Sequence, residues 1–281
     1  MLFALVPKAT AKWRKNMIFK RVYFDPKREN VFLYAYVPET KSEDSVLIIP
    51  GGGYASASVR DETDVIARAY AEKGISAFSL QYTAPPKGKD EPLIEAAGAF
   101  AYVKKNARSY GISPDRIFVV GFSAGGHLAG TLSTSYKKAE EMLGYPDNFL
   151  RPKGTVYAFP VVSAKCETHE GSFEMLFGKA FSEISEEEKR ACSLEFNIND
   201  KVPPAFIWHT ATDSVVPPYG SLRLAESYVK AGVMTELHLY PCGPHAMFLA
   251  TEATSMGNEA KVDERVAGWF ELSLEWMKSI S

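Results

Sequence analysis

Short apolar runs alternate along the chain with longer stretches of helical periodicity, and this alternation predicts the architecture. Strand-like runs cover residues 18–24, 31–37, 46–49, 75–82, 117–120, 154–160, 204–209 and 235–240. Helical periodicity covers residues 61–73, 92–110, 126–136, 219–231 and 262–278. Because strands and helices alternate after an initial hairpin, we predict an α/β fold with a doubly wound, mostly parallel sheet and helices on both faces.

One long stretch, residues 163–201, breaks this alternation. It has no strand pattern and combines aromatic side chains with an acidic helical run at 185–191. We predict a helical lid insertion over the carboxyl edge of the sheet, where ligands bind in such folds. Because no linker composition interrupts the chain, residues 1–281 are predicted to form a single domain. Such an insertion serves either as a lid or as a dimer contact, so a homodimer is also considered.

The segment Gly121-Phe122-Ser123-Ala124-Gly125 joins an apolar strand to a helix rich in small residues. This is the G-x-S-x-G pattern in its strand–turn–helix setting, which exposes the serine hydroxyl above the sheet. The two flanking glycines leave the room that such a tight, strained turn requires. An ordinary glycine-rich turn would not need the strand before it and the helix after it. Ser123 is therefore the candidate nucleophile.

A serine hydroxyl needs a general base, and the chain offers five histidines. With the elbow, the usual chain order is serine, then acid, then histidine. His169 and His209 precede or border the candidate acids, so this order is against them. His127 follows the nucleophile on the same helix and is predicted to pack, and His238 lies inside a strand. His245 occupies a loop directly after the last strand and is the predicted base.

The predicted acid is Asp213, in the loop that follows the strand at 204–209. Asp200 precedes that strand and would lie at the opposite end of the sheet. An aspartate before Val-Pro-Pro also commonly serves as a turn or helix cap, which is the alternative reading. Its position between the candidate nucleophile and the candidate base favours the catalytic role.

Acyl transfer also requires hydrogen-bond donors for the oxyanion that develops on the substrate. The backbone N–H of Ala124, directly after the candidate nucleophile, is one candidate. The others belong to three consecutive glycines, Gly51, Gly52 and Gly53, at the end of the strand at 46–49. Glycines let a backbone approach the substrate closely, so this loop is more than a plain turn.

Four segments, IIPGGGYASAS, GFSAGGHLA, HTATDSVVP and PHAMF, resemble the α/β-hydrolase superfamily. More narrowly they resemble the bacterial acetyl-esterase or "sugar hydrolase" group, which is related to xylanase-associated esterases and to the lipase/esterase class. The resemblance spans residues 46–248 and implies the α/β-hydrolase fold. It implies a serine carboxylesterase for short-chain, often acetyl, esters that needs no cofactor. By position it implies a triad of Ser123, Asp213 and His245 and an oxyanion hole of Gly52, Gly53 and Ala124.

Two positions depart from the patterns of these relatives. The lipase motif begins His-Gly-Gly-Gly, and here Pro50 replaces that histidine. The residues after His245 are Ala-Met-Phe, where the group more often has a glycine. A histidine therefore cannot shape the glycine loop of this chain in the way it does in the lipases.

The composition restricts the partners and the compartment. The formal net charge of −2 gives no reason to expect nucleic acid or an anionic membrane. No apolar run approaches the ~18 residues of a membrane span. The first residues are predicted not to form a signal peptide, and the scattered cysteines suggest reduced thiols, so we expect a cytoplasmic protein. No metal site is predicted, and the expected partner is a small ester, in particular an acetylated sugar that has entered the cell.

The residues that contact the substrate are harder to predict than the catalytic groups. Aromatic side chains near the predicted site make Tyr54, Tyr82, Phe173 and Phe177 the candidates for substrate binding. The last two flank Met175 in the insertion, where such a stripe also commonly packs a lid.

Three other functions compete with the acetyl-esterase hypothesis. An arylformamidase-like amidase or a lipase-like esterase for longer acyl chains would have a similar elbow. A prolyl-oligopeptidase type is disfavoured because the chain has no repeats to form a propeller. A non-enzymatic binding protein would not need the complete set of catalytic candidates.

Overall fold

The computed structural model describes residues 17–25, 27–39, 41–57 and 63–280. Residues 1–16, which are predicted not to form a signal peptide, lie outside these ranges. The first two residues of the helix predicted at 61–73 also lie outside them. The strands are β1 (Met17–Val22), β2 (Phe32–Pro38), β3 (Ser45–Ile49), β4 (Ser76–Gln81), β5 (Ile117–Phe122), β6 (Thr155–Ala158), β7 (Ala205–Thr210) and β8 (Thr235–Tyr240).

These strands form one eight-stranded sheet in the order β1-β2-β4-β3-β5-β6-β7-β8. The hairpin of β1 and β2 is antiparallel, and β2 also runs antiparallel to β4. The remaining neighbours pair in parallel. The predicted mostly parallel sheet with an N-terminal hairpin is therefore confirmed.

Helices cover both faces of this sheet. They are α1 (Asp64–Glu72), α2 (Glu91–Lys105), α3 (Ala107–Tyr110), α4 (Ala124–Leu143), α5 (Glu170–Phe177), α6 (Glu186–Cys192), α7 (Tyr219–Lys230), α8 (Glu252–Ser255), α9 (Glu264–Ala267) and α10 (Trp269–Ser279). Short 3₁₀ turns occur at Phe181–Glu183, Leu194–Phe196 and Glu259–Lys261.

The central strand β3 shows why two helical layers are needed. All five of its residues are buried. Leu47 and Ile49 belong to the apolar cluster that includes residues of α2 and α4, whereas Val46 and Ile48 belong to the cluster that includes residues of α1 and α10. Successive strand side chains point to opposite faces, so a continuous apolar run stabilises the fold only if both faces are covered.

Two predicted helices are interrupted in the structure. The helix predicted at 92–110 is interrupted after Lys105 by Asn106, whose φ of −99° and ψ of 8° are not helical and whose side chain donates a hydrogen bond to the Tyr102 carbonyl. The helix predicted at 262–278 is split into α9 and α10 by Gly268. Glycine is a poor helix former, but a periodicity argument does not detect an interruption this short.

The predicted insertion lies between β6 and β7 and is helical. It contains α5, α6 and two 3₁₀ turns. The helix α6 begins at a capping box, in which Ser185 Oγ accepts from the Glu188 N–H and the Glu188 carboxylate accepts from the Ser185 N–H. The acidic run is thus a helix start, where carboxylates interact favourably with the helix dipole.

The backbone is packed very closely where β5 turns into α4. A methyl group added at Gly125 would lie 2.2 Å from the Pro50 carbonyl oxygen and 2.3 Å from that of Ile49. One added at Gly121 would lie 2.3 Å from the Gly125 carbonyl oxygen. These contacts are with backbone atoms, which cannot rotate away. Only glycine therefore lets the elbow approach the loop after β3.

We expect Gly125→Ala to lower the free energy of unfolding by about 2–3 kcal/mol, since overpacking a filled site costs about this much. Urea denaturation would measure the change. Gly88→Ala is the matched control, because a methyl group there meets nothing within 4 Å. Equal stability of the two variants would contradict the proposed constraint.

Candidate active site

Ser123 lies between the last residue of β5 and the first residue of α4 in an uncommon backbone conformation. Its φ of 54° and ψ of −121° fall outside the regions that side chains with a Cβ prefer. Hydrogen bonds across to the next strand help to hold it there: its N–H donates to the Ala158 carbonyl over 3.0 Å, and its carbonyl accepts from the Val161 N–H over 3.0 Å. The neighbouring strand β6 and the residues directly after it thus stabilise the predicted elbow.

The structure brings together the three side chains that the sequence predicts to be catalytic. Ser123 Oγ lies 2.9 Å from His245 Nε2, and His245 Nδ1 lies 2.6 Å from Asp213 Oδ2. The three residues follow β5, β8 and β7, respectively. Parallel strands end at the same edge of a sheet, so residues far apart in sequence meet there.

Asp213 is buried and fully engaged by donors. Its Oδ1 accepts hydrogen bonds from the N–H groups of Val215 and Val216, each over 2.9 Å, and its Oδ2 accepts from His245 and, over 3.2 Å, from His209. Burial by itself would raise the pKa of this carboxyl group. The hydrogen bonds from the two histidines and the backbone outweigh burial and hold its pKa below the ordinary value.

The three predicted oxyanion donors belong to the segments beside the nucleophile, since Ala124 follows Ser123 directly and Gly52 and Gly53 line one cavity with it. Ala124 is the first residue of α4, where a backbone N–H has no acceptor four residues earlier in the helix. Gly52 and Gly53 have positive φ values of 95° and 62° and follow β3, the neighbour of β5. Behind them, the Tyr82 hydroxyl donates to the carbonyls of Pro50 and Gly51.

A cavity of about 480 Å³ opens beside Ser123. Its described lining comprises Gly51, Gly52, Gly53, Ala55, Phe122, Ser123, Phe159, His169, Gly171, Met175, Val215, Val216, His245, Ala246 and Phe248. The volume lies within the range of small-molecule sites. The wall is mostly apolar, and the insertion contributes part of it.

The sequence matches the family model BD-FAE over residues 33–228, which is well over half of the chain. The chain belongs to the BD-FAE family. Its structure is similar to that of an acetyl ester-xyloside bifunctional hydrolase from Caldicellulosiruptor lactoaceticus, with a TM-score of 0.77 and 30% identity, covering 93% of this chain and 96% of that one.

Two curated relatives extend the comparison. The chain is 31% identical to endo-1,4-beta-xylanase B of Butyrivibrio fibrisolvens, covering 85% of this chain and 36% of that protein. It is 26% identical to an acetylxylan esterase of Xylanibacter ruminicola, covering 78% and 44%. The chain thus spans less than half the length of these relatives. By sequence and by fold, this BD-FAE chain groups with the carboxylic ester hydrolases, in an esterase-like branch of the α/β-hydrolases.

The structure places the four predicted substrate-binding residues away from the cavity at Ser123. Tyr54, Tyr82, Phe173 and Phe177 are absent from its described lining. Tyr54 and Tyr82 are almost wholly buried and pack edge to face, and Phe173 is buried against His127. Phe177 lines a separate cavity beneath α6. Aromatic character alone did not show which side chains face the core.

His209 is a participant that the sequence analysis set aside. It is buried, and its Nε2 lies 2.9 Å from the Val216 carbonyl as well as 3.2 Å from Asp213 Oδ2. Both oxygens only accept, so Nε2 carries the proton, and Nδ1 accepts from Ser221 Oγ over 2.8 Å. The chain-order rule is against His209 as the base, but it does not reveal that this histidine contacts Asp213, the predicted acid.

His127 packs as predicted, and it does so as a neutral ring. Its Nε2 donates to the Cys192 carbonyl over 2.8 Å, and its Nδ1 accepts from the Tyr54 hydroxyl over 2.8 Å. Burial lowers the pKa of His127 to about 4, although the hydrogen bond to Cys192 acts in the opposite direction. One buried imidazole therefore connects α4, the glycine loop and the insertion.

Metal ligands, cysteine pairing and membrane-spanning helices are the remaining features to consider within the described ranges. They contain no group of three or more histidine, cysteine or acidic residues placed to hold a metal ion. Cys166, Cys192 and Cys242 are free. Among the same residues, no helix has the length and apolar character needed to cross a membrane.

The titration of His127 should make stability depend on pH. The imidazole ring of His127 binds a proton with an ordinary pKa of 6.5 in the unfolded chain, but with a pKa of about 4 in the folded protein. The free energy of unfolding therefore decreases as the pH falls from 6.5 towards 4, and at pH 4.5 it is lower by about 2–3 kcal/mol. Between pH 6.5 and pH 4.5, the free energy of unfolding measured with urea should fall by about 2–3 kcal/mol more in wild type than in His127→Gln. Parallel pH curves for the two proteins would contradict this.

Proposed function

We propose that this protein is a serine carboxylesterase that hydrolyses short-chain acyl esters, in particular acetyl esters of small sugars. The observation that carries the proposal is the continuous hydrogen-bonded series from Ser123 through His245 to Asp213. It ends at a cavity edged by backbone donors. The relatives named for acetylxylan and for acetyl ester-xyloside hydrolysis support the choice of acyl group and alcohol.

In the first step, Ser123 Oγ attacks the ester carbonyl while its proton passes to His245 Nε2. The 2.9 Å separation is already suitable for this transfer. Asp213 holds the Nδ1–H tautomer and stabilises the imidazolium that forms. Because its pKa is held low, Asp213 remains ionised throughout this step.

The negative charge on the substrate oxygen would be stabilised by the N–H groups of Gly52, Gly53 and Ala124. One such donor typically contributes ~3 kcal/mol to lowering the barrier. His245 then protonates the leaving alcohol, and a water molecule attacks the acyl-enzyme with His245 again as base. His245 finally returns this proton to Ser123 Oγ as the carboxylic acid is released, which restores the starting state.

We further propose that residues 163–201 act as a lid, since His169, Gly171 and Met175 of this segment line the cavity. A cytoplasmic location would suit small acetylated sugars that have entered the cell. No cofactor, nucleic acid or membrane partner is proposed, and a homodimer stays a prediction.

The apolar cavity wall favours a second candidate, a lipase-like esterase for longer acyl chains. Phe159, Phe248, Met175 and Val215 present hydrocarbon surface near Ser123. An acyl chain longer than acetyl would gain from burial there, about 0.8 kcal/mol for each methylene group.

Replacing Ser123 by alanine should lower kcat for p-nitrophenyl acetate by roughly 10⁴- to 10⁶-fold, because the nucleophile is lost while the fold is kept. A fluorophosphonate should label wild type and fail to label the variant. Ser109→Ala, which changes an exposed serine, is the control and should behave as wild type. Retained turnover in Ser123→Ala would rule out the assignment.

A p-nitrophenyl series from C2 to C12, together with acetylated xylose, separates the two candidates. We expect kcat/KM to be highest at C2 and to fall with chain length, with turnover of the acetyl sugar. A maximum at C6 or beyond would instead support the lipase-like esterase.

A further inference from the structure

His169 is the polar side chain of the described cavity lining that the proposed mechanism leaves unused. The other lining residues with polar side chains, Ser123 and His245, belong to the catalytic series. His169 comes from the insertion, at the residue before α5. Its neighbours in the wall include Met175, Gly171 and Gly53, so it stands out chemically from its surroundings.

The imidazole ring of His169 is fixed at one end and open at the other. Its Nδ1 lies 2.9 Å from Oγ of Ser172, whose side chain is buried. Within the described ranges its Nε2 has no hydrogen-bond partner. A methyl group added at Gly53 would lie 3.6 Å from His169 Cε1, so the ring edge lies beside the glycine loop.

The bond to Ser172 allows either tautomer, because a hydroxyl group both donates and accepts. If the hydroxyl donates to Nδ1, Nε2 presents a proton to the cavity. If Nδ1 donates instead, Nε2 presents a lone pair. A hydroxyl group on a ligand can pair with both forms, whereas an ether oxygen or a hydrocarbon cannot.

We propose that His169 Nε2 binds a hydroxyl group on the alcohol portion of the ester and thereby selects hydroxylated, carbohydrate-like esters over apolar ones. This inference rests on the proposed esterase function of the same site. It makes His169 a specificity-determining residue, separate from the residues that move protons in the reaction.

The alcohol portion is the partner because the carbonyl oxygen of an acetyl group is directed to the proposed oxyanion donors, and its methyl group forms no hydrogen bond. A cavity of about 480 Å³ also far exceeds the space that an acetyl group needs. An apolar group seated against Nε2 would leave the imidazole unpaired once water is displaced, and sites built around a polar group reject such ligands.

The test compares two esters of similar ring size in wild type, His169→Leu and His169→Gln. One is a monoacetylated methyl xyloside, with each positional isomer assayed, and the other is cyclohexyl acetate, which has no ring hydroxyl. In His169→Leu we expect the ratio of kcat/KM, xyloside over cyclohexyl acetate, to fall roughly 2- to 12-fold, the effect of one neutral hydrogen bond. His169→Gln keeps a donor and an acceptor near Nε2 and should recover part of the ratio.

Met142→Leu changes an exposed apolar residue of α4 outside the described cavity lining and should leave the ratio unchanged. Ser172→Ala keeps the imidazole but removes its support, so we expect a smaller fall in the same ratio, which provides a test if His169→Leu does not fold. An equal loss on both esters, or an unchanged ratio, overturns the role of His169 while the esterase proposal stands. Wild type that hydrolyses neither these esters nor p-nitrophenyl acetate overturns both.

Discussion

The close approach of the elbow to the glycine loop is the constraint on which the rest of the site depends. Gly125 packs against the carbonyls of Ile49 and Pro50 at a separation that excludes any side chain. This contact ties the start of α4 to the end of β3. It therefore sets the distance between Ser123 and the loop of Gly52 and Gly53, which contains the proposed oxyanion donors. One backbone contact therefore affects both the packing of the fold and the geometry of the proposed site.

Much of this arrangement could be predicted from the sequence because it is encoded locally or by topology. The elbow shows itself as a glycine–serine pattern between a strand and a helix. Asp213 and His245 lie just after strands that run parallel to β5. Strand ends that share one edge bring their loops together, so positions along the chain were sufficient to choose these residues among five histidines and many carboxylates.

Side chains whose role depends on tertiary packing could not be predicted in this way. Tyr54 and Tyr82 were expected to line the substrate site, yet both are buried behind the glycine loop, because an aromatic ring with a hydroxyl group also suits a core that has a polar partner to offer. No pattern in the sequence indicated the contacts that His209 and His169 make. Their proposed roles follow from the groups that face each ring nitrogen, and periodicity carries no information about those groups.

The replacement of the lipase-motif histidine by Pro50 shows how a different set of contacts can hold the same loop. The Tyr82 hydroxyl donates to the carbonyls of Pro50 and Gly51, and so fixes the loop from below. Tyr54, at the far end of the loop, donates to His127, which in turn donates to the Cys192 carbonyl of the insertion. Because that imidazole is buried and neutral, both of its nitrogens are committed to these partners. The insertion, which lines part of the cavity, and the glycine loop are therefore positioned by one shared network, so the shape of the cavity and the position of the proposed oxyanion donors are physically coupled.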